Sequence, residues 1–219
     1  MAAPVAAIDR VKAFTDAMLA VSATSPFPEF AKPACEAMAE MPLHLLDSSR
    51  PEQATIGGGV GLLTLYTGGM RRIGRDYTLA RFAALLMKNA PANTIRIALF
   101  ESKPVIERVR GMGGMEDGDI QTIDQKEIVF HNGNKLTCYP LNSTARMFTA
   151  NVILLNHAER LPARTFCNLI LPVLGKRGTV LVSVVAGDLD NARCRDLFQL
   201  DVANTIDVSV KIPEYGHAA

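Results

Sequence analysis

Five short apolar runs, separated by stretches with helical periodicity, restrict this chain to few folds. They cover residues 62–66, 94–100, 150–155, 179–185 and 205–212. Helical stretches are predicted over 77–89, 102–110, 163–174 and 191–199. Strand alternating with helix is the pattern of a parallel sheet with crossover helices. The run at 150–155, Ala-Asn-Val-Ile-Leu-Leu, is the most apolar. A strand that reads as continuously apolar belongs in the middle of such a sheet, covered on both faces. The expectation is an α/β fold with a mainly parallel sheet and flanking helices.

Two segments depart from that rhythm. Over residues 1–56, Ile8, Val11, Phe14, Met18 and Leu19 predict one apolar helix face. A second helix is predicted at 31–46, with Pro33 in its first turn and Pro42 as a break. This gives a helical extension, 1–56, ahead of a domain at 57–219. Between the second and third strands, 127–131 and 135–139 flank Asn132-Gly133-Asn134, a strong turn signal, and predict a β-hairpin insert.

Composition excludes more than it selects. In 219 residues, 48% hydrophobic and 21% charged residues are ordinary for a globular chain, and a net charge of +1 gives no global pull toward DNA or an anionic membrane. No run reaches the length of a membrane span, and the first residues do not resemble a signal peptide. Cys35, Cys138, Cys167 and Cys194 form no C-x-x-C pair, so reduced, mostly buried thiols are expected. His44, His131, His157 and His217 have no metal-ligand spacing.

The first strand runs into Gly68-Gly69-Met70-Arg71-Arg72-Ile73-Gly74-Arg75-Asp76, and then a helix. A phosphate-binding loop has the form G-x-x-x-x-G-K-[ST] between a strand and a helix. Gly69 and Gly74 have that spacing, but Arg75 stands for the Lys and Asp76 for the hydroxyl residue. A nucleotide hydrolase also needs a strand-end Asp for the metal and an adjacent acid for the attacking water. The strand at 150–155 ends instead in Asn156-His157.

From Glu127 to Glu159 the chain resembles the ATPase domain of the terminase large subunit, the DNA-packaging motor of tailed phages and herpesviruses. The hairpin with its Asn-Gly turn is followed by Ala145-Arg146-Met147-Phe148-Thr149-Ala150, similar to the family's A-R-G-f-t-a. Four apolar residues then lead to Asn156-His157-Ala158, where the family has D-E-a. Arg71-Arg72-Ile73-Gly74-Arg75-Asp76 is similar to R-R-x-G-K-[ST], and Val182-Ser183-Val184-Val185 to the coupling motif S-T-[TP]. The resemblance spans about residues 60–190.

It implies a P-loop NTPase-like fold of the additional-strand, RecA/terminase type. It places nucleotide contacts at Gly69, Arg71, Arg72, Gly74, Arg75 and Asp76. Arg71 takes the place of an arginine reaching the γ-phosphate, Arg146 faces nucleotide or DNA, and Ser183 carries coupling. ATP and Mg²⁺ are the cofactors if the site still works. The changes at Arg75, Asp76, Asn156, His157, Met147 and Val184 fall on the functional positions and spare the apolar scaffold.

The expectation is therefore a terminase-like protein without hydrolysis, a structural or regulatory component of viral DNA packaging or capsid assembly. A divergent active packaging ATPase and a DNA-binding module, using Arg160, Arg164, Lys176 and Arg177, are the alternatives. Protein partners from such an assembly, with DNA or further copies of the chain as additional partners, would place it in the virion or the host interior. That is the nucleus for a herpesvirus-like source and the bacterial cytoplasm for a phage-like one, with no membrane attachment or secretion. No acidic cluster of the family's nuclease domain follows, so DNA cleavage is not expected.

Overall fold

A computed structural model describes residues 7–25, 28–47, 59–67, 74–101, 105–141, 149–170, 172, 174–185, 190–200 and 205–211. Helices α1 (Ala7–Thr24), α2 (Pro28–Glu40) and α3 (Leu43–Leu46) precede strand β1 (Gly59–Thr67) and helix α4 (Arg75–Asn89). Then come β2 (Arg96–Glu101), α5 (Ile106–Gly113), β3 (Ile120–Ile123), β4 (Glu127–Phe130), β5 (Lys135–Pro140) and β6 (Ala150–Leu155). The chain continues through a 3₁₀ turn (Ala158–Arg160), α6 (Ala163–Thr165), a π-turn (Phe166–Ile170), β7 (Leu174–Val185), α7 (Asn191–Leu197) and β8 (Thr205–Lys211).

The strands form one mixed eight-stranded sheet in the order β3-β4-β5-β2-β6-β7-β1-β8. From β5 to β8 every neighbouring pair is parallel, and β3-β4-β5 is an antiparallel extension at one edge. The α/β expectation with a mainly parallel sheet is met. The hairpin lies where the Asn-Gly turn predicts it, and it adds its strands to the sheet through β5, beside β2.

Side-chain alternation explains why β2 and β6 are apolar on both faces. Ile97, Leu99, Val152 and Leu154 join one core with α1, α2, α4 and α5. Ala98, Phe100, Ile153 and Leu155 join a second core, with Phe166, Cys194 and Phe198. Two edge-to-face aromatic pairs tie helices into these cores: Phe14 with Phe82, centroids 6.0 Å apart, and Phe166 with Phe198 at 5.2 Å.

The helical segment at the start of the chain is thus built into the core on the α4 side of the sheet. Phe14, Met18 and Val21 are the buried face of α1, whereas Leu19 and Ile8 are exposed. Leu19 follows Met18 by one residue, about 100° around the helix, which carries it off the buried stripe. Helix α2 starts at Pro28, earlier than predicted, so Pro33 falls inside it. The carbonyl that Pro33 leaves without an amide belongs to Glu29, which is exposed.

The helix predicted at 102–110 runs on through the glycine-rich stretch after it, as far as Gly113. The helix closes when the Gly114 and Met115 amides bond back to carbonyls of Arg110 and Gly111. Met115 is buried and Met112 packs on the core, so burial of these methionines holds a glycine-containing turn helical. The predicted helix at 163–174 is shorter, and β7 begins already at Leu174.

Candidate functional site

The carboxyl ends of parallel strands and the amino ends of the following helices form the edge where α/β folds place ligands. Here that edge gathers the start of α4, the ends of β2 and β6, and the face of α5. Gly74 opens α4 with φ 82°, a left-handed conformation that glycine adopts freely, and its carbonyl accepts from the Thr78 amide and hydroxyl at 2.9 and 3.1 Å. Arg75 and Asp76 are therefore the first two residues of the helix. Asn156 follows β6 directly, with its amide donating to Phe100 O at 3.0 Å. His157 then turns the chain with φ 57°. A non-glycine residue in that region is uncommon and costly unless its surroundings hold it.

The four residues that depart from a phosphate-loop site contact one another in pairs. Arg75 is 7% exposed, and its Nη2 lies 2.5 and 2.8 Å from Nδ1 and Nε2 of His157. Nδ1 of His157 is also 3.0 Å from Oε1 of Glu159. Protonated at Nδ1, the ring donates to Glu159 and leaves Nε2 to accept from Arg75; protonated at Nε2, it accepts from Arg75 at Nδ1. The second pair is Asn156 and Asp76, joined by an Nδ2 to Oδ1 bond of 2.9 Å.

A further layer involves residues outside the phosphate-loop and strand-end motifs. Arg108 of α5 donates to Asp76 and lies 3.9 Å from Glu101 at the end of β2. Glu101 is buried, and its carboxyl is pushed above its usual range, first by desolvation and then by the Asp76 charge, against the pull of Arg108, His157 and Arg75. Asn156 is 2% exposed, and its Oδ1 has no hydrogen-bond partner among the described residues. Asp76, Glu101, Arg108 and Asn156 line a cavity of about 10 Å³.

Strand parity carries the signal for Glu101. Positions 97, 99 and 101 share the α4 face of β2, as 152, 154 and 156 share it on β6. An acid one residue past the apolar run therefore meets Asn156 and Asp76. Arg108 has no comparable signal, because only the packing of α5 against α4 brings it there.

Of the other predicted site residues, Gly69, Arg71, Arg72 and Arg146 lie outside the described residues. Ser183 lies on β7, in register with Thr64 of β1. Arg160, from the proposed basic surface, is 4.0 Å from Glu159, and Arg164 is exposed. Among the described residues no cluster of His, Cys, Asp or Glu is arranged to hold a metal ion, and no helix is long and apolar enough to cross a membrane.

A magnesium nucleotide would need a free cation at the first position of α4 and an oxygen ligand at the second. Arg75 is instead buried against His157, and Asp76 is engaged by both Arg108 and Asn156. As arranged, these four residues do not fit that group. Compared with models of known protein families and with curated proteins, the chain matches none.

Proposed function

We propose that this chain is a terminase-like, P-loop ATPase-fold protein that does not hydrolyse ATP and acts through protein contacts, as a structural or regulatory component of viral DNA packaging or capsid assembly. The observation that carries the reading is the reciprocal pairing of the altered positions, Arg75 with His157 and Asp76 with Asn156. A chance near-match to a phosphate loop has no reason to put its two odd residues in contact with the two odd residues at the end of another strand. A site released from hydrolysis has such a reason. Once the residues that held phosphate and metal change, their replacements have to satisfy each other in a buried place.

The strand order supports the same reading. Strand β1, which leads to the glycine loop, is separated by one strand, β7, from β6, which ends in Asn156-His157. That is the arrangement implied by the additional-strand type. The near-neutral charge of the chain speaks for protein partners over nonspecific binding to DNA.

The test is the melting temperature of the full chain with and without millimolar ATP and Mg²⁺, paired with phosphate release in the presence and absence of DNA. A ligand of the native state must raise Tm. No shift and no phosphate are expected. A clear shift with phosphate release lost in Arg71→Ala would replace this reading with that of a divergent packaging ATPase.

A further inference from the structure

Two acids and an amide oxygen lie together at this edge of the sheet, Glu101 and Asn156 buried and Asp76 partly exposed. Asp76 and Glu101 bring two carboxyl groups, Glu101 being 7% exposed, and Asn156 adds a carbonyl oxygen that is buried without a hydrogen-bond partner among the described residues. All three line the same cavity of about 10 Å³. Two carboxyl groups and an amide oxygen, set among the apolar side chains of Leu79, Leu99, Val109 and Met112, bring the hard-oxygen ligand type of Mg²⁺ and Ca²⁺ to a space of one small particle. The positive charge that serves them comes from the protein: Arg108 donates to Asp76 and stands 3.9 Å from Glu101.

We infer that the Arg108 guanidinium is a built-in cation, holding the place and the charge that a divalent metal ion would have between Asp76 and Glu101. This rests on the reading of α4 and β6 as a former phosphate-loop site and deepens it, by naming what replaced the metal. A guanidinium suits the task because it remains charged at any pH the protein meets, and one arm of its fork donates to Asp76 while the other faces Glu101 at an ion-pair distance of 3.9 Å. Delivered from α5, it also ties that helix to the start of α4 and faces the end of β2 without any ion from solution. Asn156 completes the exchange. The amide at the end of β6 donates to Asp76, so a hydrogen bond joins strand and helix, with the carboxylate on the helix side.

The consequence is that removing the guanidinium should expose a site for a metal ion. The measurement is thermal unfolding of the full chain followed by circular dichroism, in EDTA and in millimolar Mg²⁺ or Ca²⁺ at matched ionic strength, with no nucleotide. Wild type is expected to melt at the same temperature in both. Arg108→Ala is expected to melt lower in EDTA and to regain a large part of the loss with the divalent ion. Arg108→Ala combined with Asp76→Asn is expected to show no such recovery. Arg108→Met, which keeps the packing of the stem, repeats the comparison should the alanine variant not fold.

Lower stability of the Arg108 variants without rescue by either ion would overturn the inference, leaving Arg108 as an ordinary ion pair. Equal stabilisation of wild type by the metal would overturn it too. Neither result bears on ATP binding, so the two proposals fail separately.

Discussion

Glu101 is held in the folded protein under conditions that favour its neutral form. Burial and the nearby Asp76 push its carboxyl up from the ordinary 4.5, and Arg108 only partly offsets them. A carboxyl whose folded value exceeds its unfolded one binds its proton more readily when folded. Its contribution to stability is therefore most favourable below the unfolded value and is lost as pH rises through the folded one. Glu101→Gln, which mimics the protonated acid, should gain on wild type as pH rises above about 4.5 and should match it below. Urea unfolding of both proteins across pH 3–8 checks this, and a gap that narrows with rising pH would show the sign to be wrong. The cysteines offer a second test at this scale. Burial pushes the Cys35 and Cys138 thiols up to about 12, and both side chains lie in the core, whereas Cys167 is half-buried. Alkylation of the native protein at pH 8 should label Cys167 well before the other three, since the thiolate is the reactive form. Peptide mapping by mass spectrometry reads the order.

Among the elements, the hairpin joins the sheet through the β5-β2 ladder, and its turn is tied to α4 and β2 chiefly by the side chain of Asn134. Asn134 is fully buried. Its Oδ1 accepts from the Thr94 and Ile95 amides at 3.0 and 2.9 Å, and its Nδ2 donates to Met87 O at 2.8 Å. One residue of the β4-β5 turn thus closes both the end of α4 and the start of β2. Asn132 adds a second bond to the same Met87 carbonyl, also at 2.8 Å. Asn134→Ala would take the partner from the buried Ile95 amide and from the more exposed Thr94 amide, while Met87 O keeps its bond from Asn132, at roughly 1–3 kcal/mol for a buried group left unpaired. A loss of about 1–3 kcal/mol is expected in urea unfolding, with the slope unchanged. The turn also depends on Gly133, at φ 80°, where a Cβ would come within 1.9 Å of Asn93 Oδ1. The Asn-Gly pair was readable as a turn from local chemistry alone. The service of Asn134 to α4 was not, because its partners are 39–47 residues away.

For the molecule as a whole, the first two helices decide whether the sheet has a complete core. Phe14, Met18, Ala34, Cys35 and Met38 share one apolar cluster with Phe82, Leu86, Val152 and Val210, so α1 and α2 cover the α4 side of the sheet. Phe14→Ala should cost about 3–5 kcal/mol, the usual range for a buried phenylalanine. Deleting residues 1–47 should leave a chain that binds hydrophobic dye and loses cooperative melting. A deletion variant that melts cooperatively near the wild-type temperature would refute this role.

The apolar runs and their spacing were enough to call for an α/β fold, because a strand's side-chain alternation and a helix's turn are local properties of the backbone. The same local rules located the edge where Arg75, Asp76, Asn156 and His157 would meet, since loop and strand end are named by their own residues. They did not reveal that these four pair with one another, nor that Glu101 and Arg108 join them, nor that the first helices belong to the main core. Those facts depend on which strands lie side by side and which helix crosses over them. Hydrogen bonds and burial between residues some 30 to 80 positions apart are settled when the sheet closes and the helices pack, and no short stretch of sequence contains them.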